Sequence, residues 1–412
     1  MGLPTLEEVE DQLQSLLEKE DFFRPGSERI SLSQALGRIV ARAPRAQVTL
    51  PPFTRAHYDG FALRAEDALP GKVLPIAGEI AMGKEAPRPL RRDEVWSITT
   101  GGHLPPGADA VVPLEDVEIL EGAIRLKGAI GAGQYVTAKG ADVEEGEALL
   151  PPGRRLLPMD LSLLWGAGVR EVEVHKRPTA GLFLTGSEIR SPHLPLLPGT
   201  VWDSLSPSLG AWLEGWGWEV KVIGPLREDR GALQENLMEA LQQASLCLII
   251  GGSSRGKGDV TANAVAAVPG ATILGHGIAL QPGRPTLWAK APGPEGRATF
   301  ILGLPGHPVS ALLVFFLLGW PVARQLAGER HPWVRGKARA FMMGEVRAGT
   351  YEFIARVELR RNDKGELWAH PLAGDSAILK SLAGSAGFVR VPPGQRLEEG
   401  QEVEVELWMS FA

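Results

Sequence analysis

Between Thr179 and Ala327 the chain alternates short apolar runs with amphipathic helical patterns, and no other feature restricts its fold as severely. The runs are Gly181 to Leu184, Glu219 to Ile223, Leu246 to Ile250 and Thr299 to Leu302. Between them apolar residues recur at helical spacing, as in Leu233, Leu237 and Leu241. Strands separated by helices predict a parallel sheet covered on both faces. Ligands of such sheets sit beyond the carboxyl ends of the strands, so the residues following each run are the ones to inspect.

The rest of the chain has a different rhythm. Thr5 and Glu8 are spaced as a capping box, and Leu6, Val9, Leu13, Leu16 and Leu17 follow on one helical face. From about Pro44 to Gly146 short apolar runs such as Asp109 to Leu114 alternate with Gly and Pro turns, which reads as a mostly β domain. After Gly328 period two returns in Phe353 to Leu359, the turn Asn362 to Gly365, and Val403 to Trp408, predicting a small C-terminal β domain. The fold class is therefore multidomain α/β plus β, with a central αβα parallel-sheet domain.

Composition narrows the partners. A net charge of -6, from 43 basic and 49 acidic side chains without a basic block, excludes a chain that tracks nucleic acid or an anionic membrane. The single cysteine, Cys247, sits inside an apolar run, so neither a disulfide framework nor a CxxC metal site is available, and a reducing cytoplasm fits. The acidic first ten residues read as the start of a helix rather than a secretory leader. The longest apolar run, Val309 to Trp320, ends at Pro321, short of the ~20 residues of a membrane span, and reads as a buried core helix.

Four stretches fall after strands: Thr185-Gly186-Ser187-Glu188, Asp203-Ser204, Gly251 to Asp259, and Leu304-Pro305-Gly306-His307-Pro308. Glycines at 251, 252, 256 and 258 allow positive φ and turn backbone N–H groups inward, while Arg255 and Lys257 add charge, a pattern suited to a phosphate or oxyanion. Gly306 to Ser310 adds a helix start, with Pro308 in its first turn. Glu188, Asp203 and Asp259 are candidate Mg²⁺ carboxylates, and each is equally well read as a helix cap. His307 reads as a structural hydrogen-bonding residue.

A rival motif overlaps the glycine loop. Gly252-Ser253-Ser254-Arg255-Gly256 matches the G-x-S-x-G serine hydrolase elbow, with Ser254 as nucleophile. That elbow starts its helix almost at the serine, whereas Lys257-Gly258-Asp259 postpones the helix here.

Taken in order these stretches resemble the molybdopterin molybdotransferase family, which includes the E domain of gephyrin. The resemblance rests on Tyr58-Asp59-Gly60-Phe61-Ala62, Thr100-Gly101, Pro106 to Val112, Gly140-Ala141-Asp142, Thr185 to Glu188, Asp203-Ser204, the Gly251 loop, Pro282-Gly283-Arg284-Pro285 and Leu304 to Pro308. It implies an α/β molybdopterin-binding domain from residues 1–26 and 178–328, and an elongated linking domain from 27–45 and 147–177. Residues 46–146 would form an inserted β-rich domain, and residues 329–412 a β-barrel-like domain.

The resemblance also implies an activity: Mg²⁺-dependent insertion of molybdate into adenylylated molybdopterin, with release of AMP. It implies a homodimer whose cleft pairs the α/β domain of one subunit with the β domain of the other. Molybdopterin adenylyltransferase and molybdoenzyme maturation proteins would be its partners. The catalytic set is then Asp59, Thr100, Asp142, Glu188 and Asp259, with Glu188, Asp203 and Asp259 on the metal. Substrate binding falls to Thr185, Gly186, Ser204, Gly251, Gly252, Ser253, Ser254, Arg255, Gly256, Lys257, Arg284, Pro305, Gly306, His307, Pro308 and Arg356.

Several family positions are altered. Leu205 and His307 stand where the family carries asparagine, Glu228 where it has the first Asp of a pair, and Gly277 and Gln281 where it has lysine, leaving Arg284. Arg255 and Lys257 are read as partial replacements for that lost charge. The departures keep open a second reading, a catalytically weak paralogue that carries molybdopterin or its metal-loaded form.

Overall fold

The computed structural model of the chain describes residues 2–24, 26–226, 229–252, 259–331 and 334–408. Its centre is a six-stranded sheet in the order Glu219–Leu226, Thr179–Thr185, Leu246–Ile250, Ala298–Leu304, Leu287–Pro292, Thr272–His276. The first four strands are parallel, with Ala180 opposite Leu246 and Leu248 opposite Leu302. Leu287–Pro292 runs antiparallel to both of its neighbours, Ala298–Leu304 and Thr272–His276, which corrects the all-parallel expectation. Only residues 293–297 join Leu287–Pro292 to Ala298–Leu304, too few for the crossover that parallel pairing requires.

Period-two alternation explains why the central strand is apolar throughout. Leu246, Leu248 and Ile250 enter the core beneath Leu205–Gly215 and the helical segment 308–326, while Cys247 and Ile249 enter the opposite core against Leu233, Leu237, Ala264 and Val265. Each fully buried side chain of this kind stabilises the fold by about 1.5–3 kcal/mol. Burial also pushes the Cys247 thiol up to about 12. The loops that leave the carboxyl ends of these strands therefore start from rigid positions.

The N-terminal helix Leu6–Lys19 carries its capping box: Glu8 N–H donates to Thr5 Oγ1, and Thr5 N–H donates to the Glu8 carboxylate. Leu6, Val9, Leu13 and Leu17 dock on the central domain. The apolar run after Pro308 is a core helix, and it continues past Pro321 to Leu326 through a π-helical segment, Phe315–Gly319. Pro321 has no N–H for the Leu317 carbonyl, which instead accepts from Arg335 Nη2 at 3.4 Å. The segment 308–326 is long and apolar enough for a membrane, but 83% of its most apolar window is buried inside the protein.

Ser27–Ser31 pairs antiparallel with Glu171–His175, and with the helix Pro158–Gly166 forms a linking unit. Between its halves is inserted a six-stranded β unit ordered Ala110–Pro113, Gly60–Leu63, Val95–Ile98, Val73–Ile80, Ala123–Leu126, Val117–Leu120. A buried clamp ties linking and central units: Glu329 accepts from Arg324 at 2.6 Å and from Arg155 at 3.2 Å, and Arg155 lies 4.6 Å over the Trp216 ring. The C-terminal β sheet takes one strand from elsewhere, since Leu280–Gln281 of the central unit pairs in parallel with Glu352–Phe353.

Candidate active site

That shared pairing makes one wall of a cleft of about 730 Å³ between the central and C-terminal units. The central unit lines it with Thr185, Glu188, Gly251, Gly252, Arg284 and the Pro305–His307 loop. The C-terminal unit adds Tyr351, Phe353, Arg356, Asp375 and Ser376.

The floor is shaped by four close approaches. Thr185 Oγ1, almost fully buried, donates to the Ile250 carbonyl at 3.0 Å, and Thr261 Oγ1 donates to the Gly251 carbonyl at 3.0 Å. Gly251 holds φ +86°, and a Cβ there would lie 2.7 Å from the Thr185 carbonyl oxygen, so only glycine leaves this strand in this direction. A Cβ on Gly306 would stand 3.6 Å from Gly251 Cα, so the two glycine turns abut. Ser253, Ser254, Arg255, Gly256 and Lys257 lie outside the described residues, as does Glu228. The hydrolase-elbow reading of Ser254 falls on those residues, and among the described residues the next helix begins at Val260.

Arg356 is the cleft's buried cation, only 7% exposed. Its Nη2 donates to the Gly374 carbonyl at 2.7 Å, and its buried Nε has no partner among the described residues. Burial lowers its pKa from the usual guanidinium value, against the opposing pull of Asp375. Arg284 is exposed on the same cleft. A guanidinium with an unused buried donor suits a phosphate or another oxyanion. His307 Nδ1 shares a 2.6 Å hydrogen bond with Ser376 Oγ and the Val309 N–H donates to the Ser376 carbonyl, so the Pro305–Pro308 turn is fastened to the opposite wall.

The three acids expected on Mg²⁺ do not converge. Asp203 caps the helix Leu205–Gly215, accepting from Leu205 N and Ser206 N at 3.0 Å each and from Ser206 Oγ. Ser204 sits at that helix start, with its carbonyl accepting from Ser208 Oγ. Asp259 caps Val260–Ala267 through Ala262 N at 2.8 Å, and its other oxygen lies 3.1 Å from His276 Nε2. Glu188 alone lines the cleft, its carboxylate against Gly186. Among the described residues no three carboxylate, imidazole or thiol groups are placed to share a metal ion. The resemblance-derived metal set therefore does not fit as a unit, because local caps occupy two of its members.

Asp59 and Thr100 are together, on the inserted β unit: Thr100 N and Oγ1 donate to one Asp59 oxygen at 2.7 and 2.8 Å. The backbone donor first and the hydroxyl second hold the Asp59 carboxyl below its ordinary range. Asp142 is exposed on the same unit, and none of the three lines the cleft within one chain. His276, Tyr351, Phe353, Asp375 and Ser376 were not among the sequence-derived site residues, and Gln281 was marked only as a position where the family has lysine. The period-two pattern of Phe353 to Leu359 marked a strand, but nothing local marked its partner.

The glycine floor and the fastened helix start define an α/β domain with an anion-binding cleft at the carboxyl ends of its parallel strands, and comparison with known proteins names its class. Residues 5–168 match the MoeA N-terminal region (domain I and II), residues 181–325 a probable molybdopterin binding domain, and residues 347–408 the MoeA C-terminal region (domain IV). A molybdopterin molybdenumtransferase of Synechococcus elongatus is 33% identical over 64% of this chain and 68% of its own. One of Haemophilus influenzae is 29% identical over 68% and 69%. Two crystal structures of the MoeA molybdopterin biosynthesis protein of Pyrococcus horikoshii, 31% and 25% identical, superpose with TM-scores of 0.78 over 100% and 99% of this chain and all of theirs. The chain belongs to the MoeA family of molybdenum cofactor biosynthesis.

Proposed function

We propose that the protein is a molybdopterin molybdenumtransferase that takes adenylylated molybdopterin and molybdate as substrates, releases AMP and yields the metal-loaded pterin. The observation that carries this reading is Arg356: a buried guanidinium with an unused donor, opposite a glycine floor and beside the aromatic rings of Tyr351 and Phe353. Such a cleft suits a planar ring system joined to phosphates, with the rings against the aromatics and the oxygens on Arg356 and Arg284.

In this reading the chain's own residues bind and orient. Glu188 disfavours further negative charge beside it, so the phosphoanhydride settles toward Arg356 and Arg284. The Asp59–Thr100 pair and Asp142 act from the partner subunit of a homodimer, completing the cleft. Mg²⁺ belongs to the reading as a companion of the substrate phosphates, whose charge it would offset; of the three expected carboxylates Glu188 alone lines the cleft among the described residues.

The test is direct. Purified protein mixed with adenylylated molybdopterin, Mg²⁺ and molybdate releases AMP if it is a transferase. Binding without AMP release supports a carrier, the second reading, which rests on Gly277 and Gln281 standing where the family has lysine and leaving Arg284 as the cation of that stretch.

A further inference from the structure

A second cavity, of about 860 Å³, lies away from the active cleft where three chain crossovers meet. Arg24 is on the segment leaving the N-terminal helix for the linking unit, His175 ends the strand that leads back, and Arg330 is on the segment leaving for the C-terminal unit. The crossovers are in contact: Lys176 N–H donates to the Gly26 carbonyl at 2.8 Å, Arg330 N–H to the Gly153 carbonyl at 3.0 Å, and a Cβ on Gly328 would lie 2.5 Å from the His175 ring.

Of the carboxylates and basic side chains lining this cavity, most are in ion pairs, while Asp11, Arg24 and Arg330 are in none among the described residues. At one end Arg335 pairs with Glu10 at 2.5 Å and with Glu406 at 3.0 Å, and Arg324 pairs with Glu329 at 2.6 Å. At the crossover end Arg24 and Arg330 have no carboxylate within ion-pair distance among the described residues. Asp21, the acid that acts on Arg24, is paired with Arg297 instead. The Arg24 Nε is buried without a hydrogen-bond partner. Arg24 and Arg330 are close enough to repel one another, and both disfavour a charge on His175.

We propose that this crossover cavity binds a phosphate-class dianion, either free phosphate or the phosphate of an ester. Two unpaired guanidiniums match a charge of minus two, and their planar forks suit the edges of a tetrahedral oxyanion, with the neutral His175 ring as a third contact. The bound ion turns repulsion among the crossovers into attraction and fills the empty Nε donor. Because the three segments connect the central, linking and C-terminal units, the ion also fixes how those units are held together. That site is separate from the active cleft and does not depend on the transferase reading.

Calorimetric titration with inorganic phosphate and with ribose 5-phosphate, at constant ionic strength set by sodium chloride, tests this. The full chain is compared with R356Q, which weakens the active cleft, and with R24Q/R330Q. Saturable binding is expected in wild type and R356Q, and at least about tenfold weaker binding in R24Q/R330Q, the scale of losing charged hydrogen bonds. Phosphate should also raise Tm in wild type and R356Q above the effect of chloride, and not in R24Q/R330Q. Should the double variant fail to fold, R330Q alone reads the same loss. Binding of either probe that depends on Arg24 and Arg330 supports the site, and the tighter probe names the source of the phosphate. Affinity unchanged in R24Q/R330Q, or no saturable binding in R356Q, overturns it.

Discussion

Asp259 Oδ2 lies 3.1 Å from His276 Nε2, joining the start of the helix Val260–Ala267 to the end of the strand Thr272–His276. The other Asp259 oxygen caps the helix through Ala262 N. One carboxylate therefore serves two consecutive elements, the helix it caps and the strand that follows.

This arrangement predicts a non-additive double-mutant cycle. Asp259→Ala removes cap and pair together, and its cost should exceed that of His276→Ala by about 1 kcal/mol, the usual worth of an N-cap. In the Asp259→Ala background His276→Ala should cost little more, leaving a coupling of about 0.5–3 kcal/mol. Urea unfolding of the four proteins measures it, and strictly additive losses would mean that the contact carries no energy.

Arg356→Gln is expected to weaken binding of adenylylated molybdopterin about ten- to hundredfold, the scale of a buried charge-assisted hydrogen bond. The protein should stay folded, because the substitution also removes a buried cation whose Nε is unsatisfied. Arg284→Gln, at an exposed position on the same cleft, should weaken binding less. Equal losses at both positions would contradict the central role given to the buried group.

How far these features could be read beforehand depends on the range of the interaction. Leu246–Ile250 was legible to the residue, because an all-apolar run between Ser245 and Gly251 has one physical meaning in an alternating chain. The capping box at Thr5 and the cap at Asp259 were legible because caps are local. Thr272–His276 and Leu287–Pro292 were missed: Gly275, His276 and Lys290 interrupt their apolar pattern, and the reversed sense of Leu287–Pro292 follows from its short connection to Ala298–Leu304. The cleft's second wall was missed for another reason. Leu280–Gln281 meets Glu352–Phe353 some seventy residues later through docking of two units, which no local pattern records. The metal set named from the resemblance had three acids after strands, and sequence spacing could not reveal that two were already satisfied by helix N-termini.

Glu329→Gln should destabilise the protein by about 3–5 kcal/mol, the cost of leaving buried guanidiniums without their counter-charge. Glu329 is 6% exposed and accepts from both Arg324 and Arg155, so one substitution strands two cations. The contrasting variant is Glu171→Gln, whose partner Arg29 is 4.0 Å away with both side chains mostly in solvent. It should change stability by less than about 1 kcal/mol. Urea midpoints for the two variants distinguish a clamp between units from a surface pair.

His175 provides a pH signature. Burial first, then Arg330 and Arg24, hold its pKa below the ordinary 6.5, with Glu173 opposing weakly. The unfolded chain therefore binds a proton at a pH where the folded chain does not, so this residue's contribution to stability falls as pH drops from about 6.5 toward the folded value. Above 6.5 both states are neutral at this position and the contribution is flat. His175→Gln should flatten that part of the stability profile, measured as Tm from pH 7.5 to 5. A phosphate ion seated between Arg24 and Arg330 would cancel much of the repulsion that keeps the ring neutral. The wild-type slope should then be shallower in phosphate than in chloride at equal ionic strength, and the difference should vanish in R24Q/R330Q.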